Sequence, residues 1–311
     1  MTPPISYRVK RFEKCALIGF AVARASGAVA RKEVLRLAEC PMDGGLARDY
    51  AARDGHFQEM LVTEAEWLAA TDPEPLLDHL RRTACDRKLR LFAIACCRRV
   101  DELLANTPGL TTLEFAELHV DQGVVRRKGR PTLEKQARRA SREAINKQVI
   151  EFPMVAERGK CPDIACALLA AAATINTDPQ NAAGNAYGYA CYAAAWDELV
   201  RCGSEISHSD SDIYRTFQRS ELAQQAILFR DIFSNPFRPV AAAQSWLKGN
   251  DGAAVKVAAS LYNEGAFDRL PLVADALEDA GCTDPDLLGH LRAPGPHVRG
   301  CWAVDLVLGK S

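Results

Sequence analysis

Apolar residues recur along this chain at three- and four-residue spacing, interrupted by short stretches of Pro, Gly, Asn and Asp, and that pattern predicts an all-α protein. Thr63-x-x-Glu66 is a capping-box pattern that opens a short helix through Ala70. Asp72 caps the next helix, with Pro73 at its first position and Leu76, Leu77 and Leu80 on one face. A third helix is expected over residues 86–104. Its apolar stripe is Leu89, Phe92, Ala93, Cys96, Val100 and Leu103, while Arg87, Lys88, Arg90, Arg98 and Arg99 take the other side. An Asn-Thr-Pro-Gly stop at 106–109 precedes a fourth helix, expected over 112–125.

The middle of the chain, residues 161–199, is rich in Ala, and Asn176-Thr177-Asp178-Pro179 divides it into two helices expected to pack as a tight hairpin. Gly184 and Gly188 each weaken the second of them by about 1 kcal/mol. A polar stretch at 202–212 reads as a loop, after which residues 213–233 return to helix. Residues 235–239 (NPFRP) form an extended turn, because each residue before a proline is pushed out of helical geometry. Phe237 is expected to fill a core gap there, and Arg238 to pair with a carboxylate or cap a carbonyl. A helix over 253–263 follows Asn250-Asp251-Gly252.

The closing stretch, 268–309, contains three apolar-periodic runs separated by Gly-Cys-Thr-Asp-Pro and Ala-Pro-Gly-Pro stops, and is similar to one HEAT-type helical-repeat unit. On that reading Val298, Cys301, Trp302, Val304, Leu306 and Val307 pack on preceding helices. Arg299 would neutralise a carboxylate such as Asp275 or Asp305, and His297 would fill the first turn of a helix.

Residues 1–61 read differently from the rest. A basic start precedes a short apolar run at 15–23 that is too short for an export signal and is cut by Arg24. Val62 stands where a GTG codon can initiate as Met, and Gln58-Glu59-Met60 can be encoded with AGGAG at ribosome-binding distance, so the first 61 residues are expected to lie upstream of the true start. Three segments carry a resemblance: TEAEWLAATDPEPLLDHLRRTACDRKLRLFAIACCRRV, RDIFSNPFRPV at 230–240, and 268–310 with its GPHVRGCW motif. Together they resemble an uncharacterised bacterial protein family whose members begin at the TEAEWL segment. The resemblance implies a start at Val62 and no activity or cofactor, while the helix pattern itself predicts a single all-α domain over 62–311 with a soft boundary near 203–212.

The whole chain has a formal charge of −1 and is 48% hydrophobic, so it can build a core but has no bulk electrostatic footprint for nucleic acid or an anionic surface. Without residues 1–61 the balance is 29 basic to 33 acidic residues, a net of −4. No apolar run reaches the roughly eighteen residues a membrane helix needs. The 11 cysteines include no C-x-x-C pair and are spread over a chain too long to need a disulfide scaffold, so they are expected as reduced core thiols, which favours the cytoplasm.

Two clusters could carry chemistry. Arg126, Arg127, Lys128, Arg130, Lys135, Arg138, Arg139 and Arg142 fall in the one strongly basic segment, and a helical face of this kind can track a phosphate backbone. Its plainer reading is a solvated face among acidic neighbours, and no aromatic residue interleaves the charges. Cys282, His290, His297 and Cys301 gather two Cys and two His, enough for a tetrahedral zinc site if all four converge, with His297 and Cys301 expected on one helical face. Seven residues lie between Cys282 and His290 and six between His290 and His297, which matches no standard zinc module. There is no Gly-rich phosphate loop, no G-x-S-x-G, no H-E-x-x-H and no H-x-E with C-x-x-C. The sequence therefore points first to a noncatalytic helical module that works through a protein partner. Nucleic-acid binding through the basic helix is the second expectation, and a zinc site or an unrecognised enzyme the third.

Overall fold

A computed structural model of the chain describes residues 62–121, 163–202 and 210–310, together with positions 132, 135, 136 and 139. Every regular element among the described residues is helical. The α-helices are α1 (Glu64–Ala69), α2 (Pro73–His79), α3 (Asp86–Arg98), α4 (Pro108–Val120), α5 (Asp163–Thr174), α6 (Pro179–Arg201), α7 (Asp210–Ile232), α8 (Gln244–Glu264), α9 (Pro271–Asp279), α10 (Pro285–Arg292) and α11 (Trp302–Leu308). None of them is long and apolar enough to cross a membrane.

The helix starts follow local chemistry. The Thr63 amide donates to Glu66 Oε2 at 2.9 Å and the Glu66 amide donates to the Thr63 hydroxyl at 3.3 Å, so α1 opens on a complete capping box. Asp72 accepts from the Glu74 amide at 2.8 Å, and Asp178 accepts from both the Gln180 and Asn181 amides, in each case ahead of a proline. α4 starts four residues earlier than the apolar pattern suggested, because Thr107 caps it and Pro108 occupies its first position.

The apolar side chains form two large clusters. The first joins α1 to α7 around Trp67, Phe92 and Phe229, whose rings meet edge to face at 5.8 Å (Trp67 with Phe229) and 5.0 Å (Phe92 with Phe229). The second joins α8 to α11 around Leu261, Leu277, Leu287 and Val304. The change of core falls between Phe233 and Val240, on the NPFRP turn. There Arg238 pairs with Glu64 at 2.6 Å, as expected, whereas Phe237 lies half out in solvent, stacked on His79, and fills no gap in either core.

α3 is the axis of the first cluster, packing against α4, α5, α6 and α7. It is buried continuously from Leu89 to Cys97, and its arginines, with Arg99 at its C-cap, are engaged by carbonyls and carboxylates of other parts of the chain. Arg90 donates to the carbonyls of Asn176 and Thr177, just past the end of α5; Arg98 forks onto Glu117, and Arg99 forks onto Glu221. The expected helix over 86–104 is also shorter, giving way to a 3-10 turn at Asp101–Leu104. α3, α5 and α6 approach closely where Ala93, Ala173, Ala182 and Ala186 meet, so the Ala-rich hairpin forms as read.

Substantial helix-to-helix packing runs within each group of helices, and between the groups lies a polar seam. Arg87 on α3 donates to Asp305 at 2.6 Å and 3.1 Å, to Asp121 at 2.9 Å and to the Tyr262 hydroxyl at 2.9 Å. The Tyr262 hydroxyl in turn donates to Asp121, while Arg299 and Lys310 lie over the Tyr262 ring, 4.5 and 4.6 Å from its centroid. α8 carries one feature the sequence reading missed. Its first turns, before residue 249, precede a left-handed turn at Asn250, Asp251 and Gly252, and Gly249 sits so close to Ala280 that a Cβ there would lie 2.7 Å from the Ala280 Cβ.

Asp305 is 1% exposed, so removing Arg87 leaves a buried carboxylate without its main partner. Arg87→Met is expected to cost about 3–5 kcal/mol in urea unfolding, and Arg87→Met with Asp305→Leu to recover most of that loss. Burial raises Asp121, but hydrogen bonds from Tyr262 and Arg87 and the charges of Arg87 and Lys310 outweigh it and hold its pKa below the ordinary 3.8. A depressed folded-state pKa means that this contribution is fully present above the unfolded value and is lost as pH falls through the folded one. Asp121→Asn is therefore expected to be less stable than the parent near neutrality, and the difference to shrink below about pH 4. Paired denaturation curves across that range measure it.

Candidate metal centre

The side chains that converge at the seam come from three places in the chain. Asp231 lies in the last turn of α7, between the core residues Phe229 and Ile232. Its neighbour Arg230 turns the other way and donates to the carbonyls of Trp67 and Ala70, so the two charges of one dipeptide serve opposite sides of the helix. His290 lies in the last turn of α10, a helix capped by Asp284 and held in the second core by Leu287, Leu288 and Leu291. His297 and Cys301 come from the nonhelical stretch 293–301, in which Gly295–Pro296 is a cis peptide.

These residues do not share a helical face as their four-residue spacing suggested, because α11 begins only at Trp302. The loop itself folds them together. The Cys301 amide donates to the Val298 carbonyl at 2.9 Å, and the Val298 amide donates to Asp231 Oδ2 at 2.9 Å. Gly300 has φ +96 and packs so tightly on α3 that a Cβ there would meet Leu91 Cδ1 at 2.7 Å.

Asp231, His290, His297 and Cys301 each offer one donor atom, and these four atoms all lie within 4.8 Å of one another. Asp231 Oδ1 is 2.7 Å from His297 Nδ1 and 3.2 Å from His290 Nε2. Cys301 Sγ is 3.2 Å from His290 Nε2 and 4.0 Å from His297 Nδ1. A tetrahedral zinc ion with ordinary bond lengths separates its ligands by roughly 3.3–3.7 Å, so the set brackets that geometry. His297 Nε2 faces the Ala293 carbonyl at 3.1 Å, which fixes the ring and leaves Nδ1 for the centre of the group. The ring of Trp302 lies 4.9 Å from that of His290 and walls one side.

The electrostatics follow from burial and charge. Burial pushes Asp231 up, but hydrogen bonds from His290, His297 and the Val298 amide, with the charge of His297, bring it below its ordinary value. Burial pushes His297 down, yet its bond to Asp231, that carboxylate's charge and the Ala293 carbonyl leave it raised. Burial and the nearby Asp231 charge push the Cys301 thiol well above its usual range. A thiol so placed is no free nucleophile; a metal ion would displace its proton.

Cys282 does not belong to the group. Its amide bonds back to the Leu277 carbonyl at 2.9 Å after the left-handed Gly281, which turns the buried thiol into the second core. The expected two-Cys, two-His set therefore does not converge: Cys282 stands apart, and Asp231 completes the cluster with His290, His297 and Cys301. Asp231 had one legible signal, a charged pair, Arg230-Asp231, inside the apolar run ILFRDIF, where each charge requires a buried partner. Arg299 is also reassigned. It reaches Asp121 at 3.4 Å, whereas Asp275 pairs with Arg292 and Asp305 with Arg87. Of the basic set, Lys135 and Arg139 are helical and exposed; Arg126, Arg127, Lys128, Arg130, Arg138 and Arg142 lie outside the described residues.

Gly300→Ala is expected to destabilise by about 1–3 kcal/mol, since it strains the backbone and displaces Leu91. Gly289→Ala, in α10 beside His290, meets nothing within 4 Å and is expected to be neutral or to stabilise by up to about 1 kcal/mol. Thermal melts of the two variants give the comparison. No known protein family, characterised protein or solved structure matches this chain, and its resemblance to the TEAEWL-initiated family rests on the quoted segments alone.

Proposed function

We propose that this chain is a noncatalytic helical protein that binds a zinc ion through Asp231, His290, His297 and Cys301. The observation that carries this reading is the convergence of four donor atoms of different side chains, two of them on buried residues and two on half-buried ones. Two nitrogens, a thiolate and a carboxylate oxygen suit zinc, and four protein ligands make the closed site of a structural metal, with no position for substrate.

A Cys-His-Asp catalytic triad uses the same residue types, but the geometry argues against it. A triad base bonds the nucleophile with one ring nitrogen and its orienting carboxylate with the other. Here His290 directs the same Nε2 at both Cys301 and Asp231, and His297 directs its Nδ1 at both as well. Cys301 is fully buried, out of reach of a substrate. The zinc reading is preferred over the protein-partner and nucleic-acid expectations because it alone rests on side chains brought together in the described residues.

Elemental analysis of tag-free protein is expected to find about one zinc per chain. Cobalt exchanged into the site should show tetrahedral d–d absorption and a thiolate charge-transfer band that Cys301→Ser abolishes and Cys282→Ser leaves intact. Protein that holds no zinc and takes up no cobalt would end this reading.

A further inference from the structure

We infer that metal occupancy controls the docking of the C-terminal helices α8–α11 onto the α1–α7 bundle, an inference that rests on the zinc reading above. The ligands divide across the seam. Asp231 belongs to α7, whose Phe229, Ile232 and Phe233 are part of the first core; His290 and Cys301 sit beside Leu291 and Ala303 of the second. A metal bound to all four is a bond between the two cores.

The rest of the seam is poor in apolar contact. Its direct connections include ion pairs and hydrogen bonds from Arg87, Lys88 and Asp121 to Asp305, Tyr262, Arg299 and Lys310, with Val298 and Gly300 supplying a local apolar touch. His290 Nε2 faces both a carboxylate oxygen and a sulfur, and a single ring nitrogen either donates one hydrogen bond or accepts one, so without a metal it serves one of the two facing atoms at a time. The undocked form separates Asp231 from the other three ligands. Metal therefore binds the docked form alone and shifts the balance toward it.

Hydrogen–deuterium exchange on the full chain, zinc-loaded and then stripped by a chelator, tests this, with native mass spectrometry recording zinc content in each state. Stripping is expected to raise exchange by about tenfold or more in the 293–301 loop, α11 and the end of α7, while the paired Ala-rich helices α5 and α6 keep their protection. Reloading zinc should restore it. If the protein binds zinc but exchange is unchanged, or rises equally in α5 and α6, the docking role is wrong and the zinc site stands. If no zinc binds, both fall.

Discussion

Helix α3 runs through the middle of its bundle and is buried from Leu89 to Cys97, yet it carries four cations, with a fifth, Arg99, at its C-cap, and matching them is the requirement the rest of the fold answers. A guanidinium taken out of water without partners costs far more than one helix contributes. Each therefore meets a prepared acceptor: Arg90 the carbonyls beyond α5, Arg98 a carboxylate on α4, Arg99 one on α7, and Arg87 the carboxylates of Asp121 and Asp305. Lys88 donates to the Ile232 carbonyl at 2.7 Å, beside the proposed metal ligand. Helices from both ends of the described chain are thus fixed in register with one central element.

The seam ions and the proposed metal centre are not independent devices. α11 has Cys301 at its N-cap and Asp305 one turn further on, so one short helix carries a ligand of the centre and the main acceptor of Arg87. Displacing α11 disturbs both. Tyr262 stiffens the arrangement: burial and then its bond to Asp121 push its hydroxyl up to about 12, so it stays a neutral donor among the charges.

Much of the architecture was legible because it depends on local chemistry. Thr63, Asp72 and Asp178 announce their helices through side-chain caps, and the alanines of α5 and α6 announce close approach by having little to keep apart. What failed was inference about partners. Periodicity showed where the α3 cations lie around the helix but not that carboxylates as distant as Glu221 and Asp305 cover them. The quartet differs from the cluster for a similar reason: nearness in sequence brought in Cys282, which Gly281 turns into the core, and left out Asp231, 59 positions before His290. The spacing of His297 and Cys301 suggested a helix where a Pro-Gly-Pro loop does the folding.

The Arg87–Asp305 pair joins residues 218 positions apart. During synthesis at roughly 5–20 residues per second, Arg87 emerges on the order of ten to forty seconds before the carboxylate that neutralises it is made. The hub helix can collect its apolar neighbours in that interval, but one of its buried cations must wait in water or in a provisional pairing with Asp121. The native arrangement around α3 is thus completed only after α11 has left the ribosome, so a short helix made late finishes the environment of one made more than two hundred residues earlier.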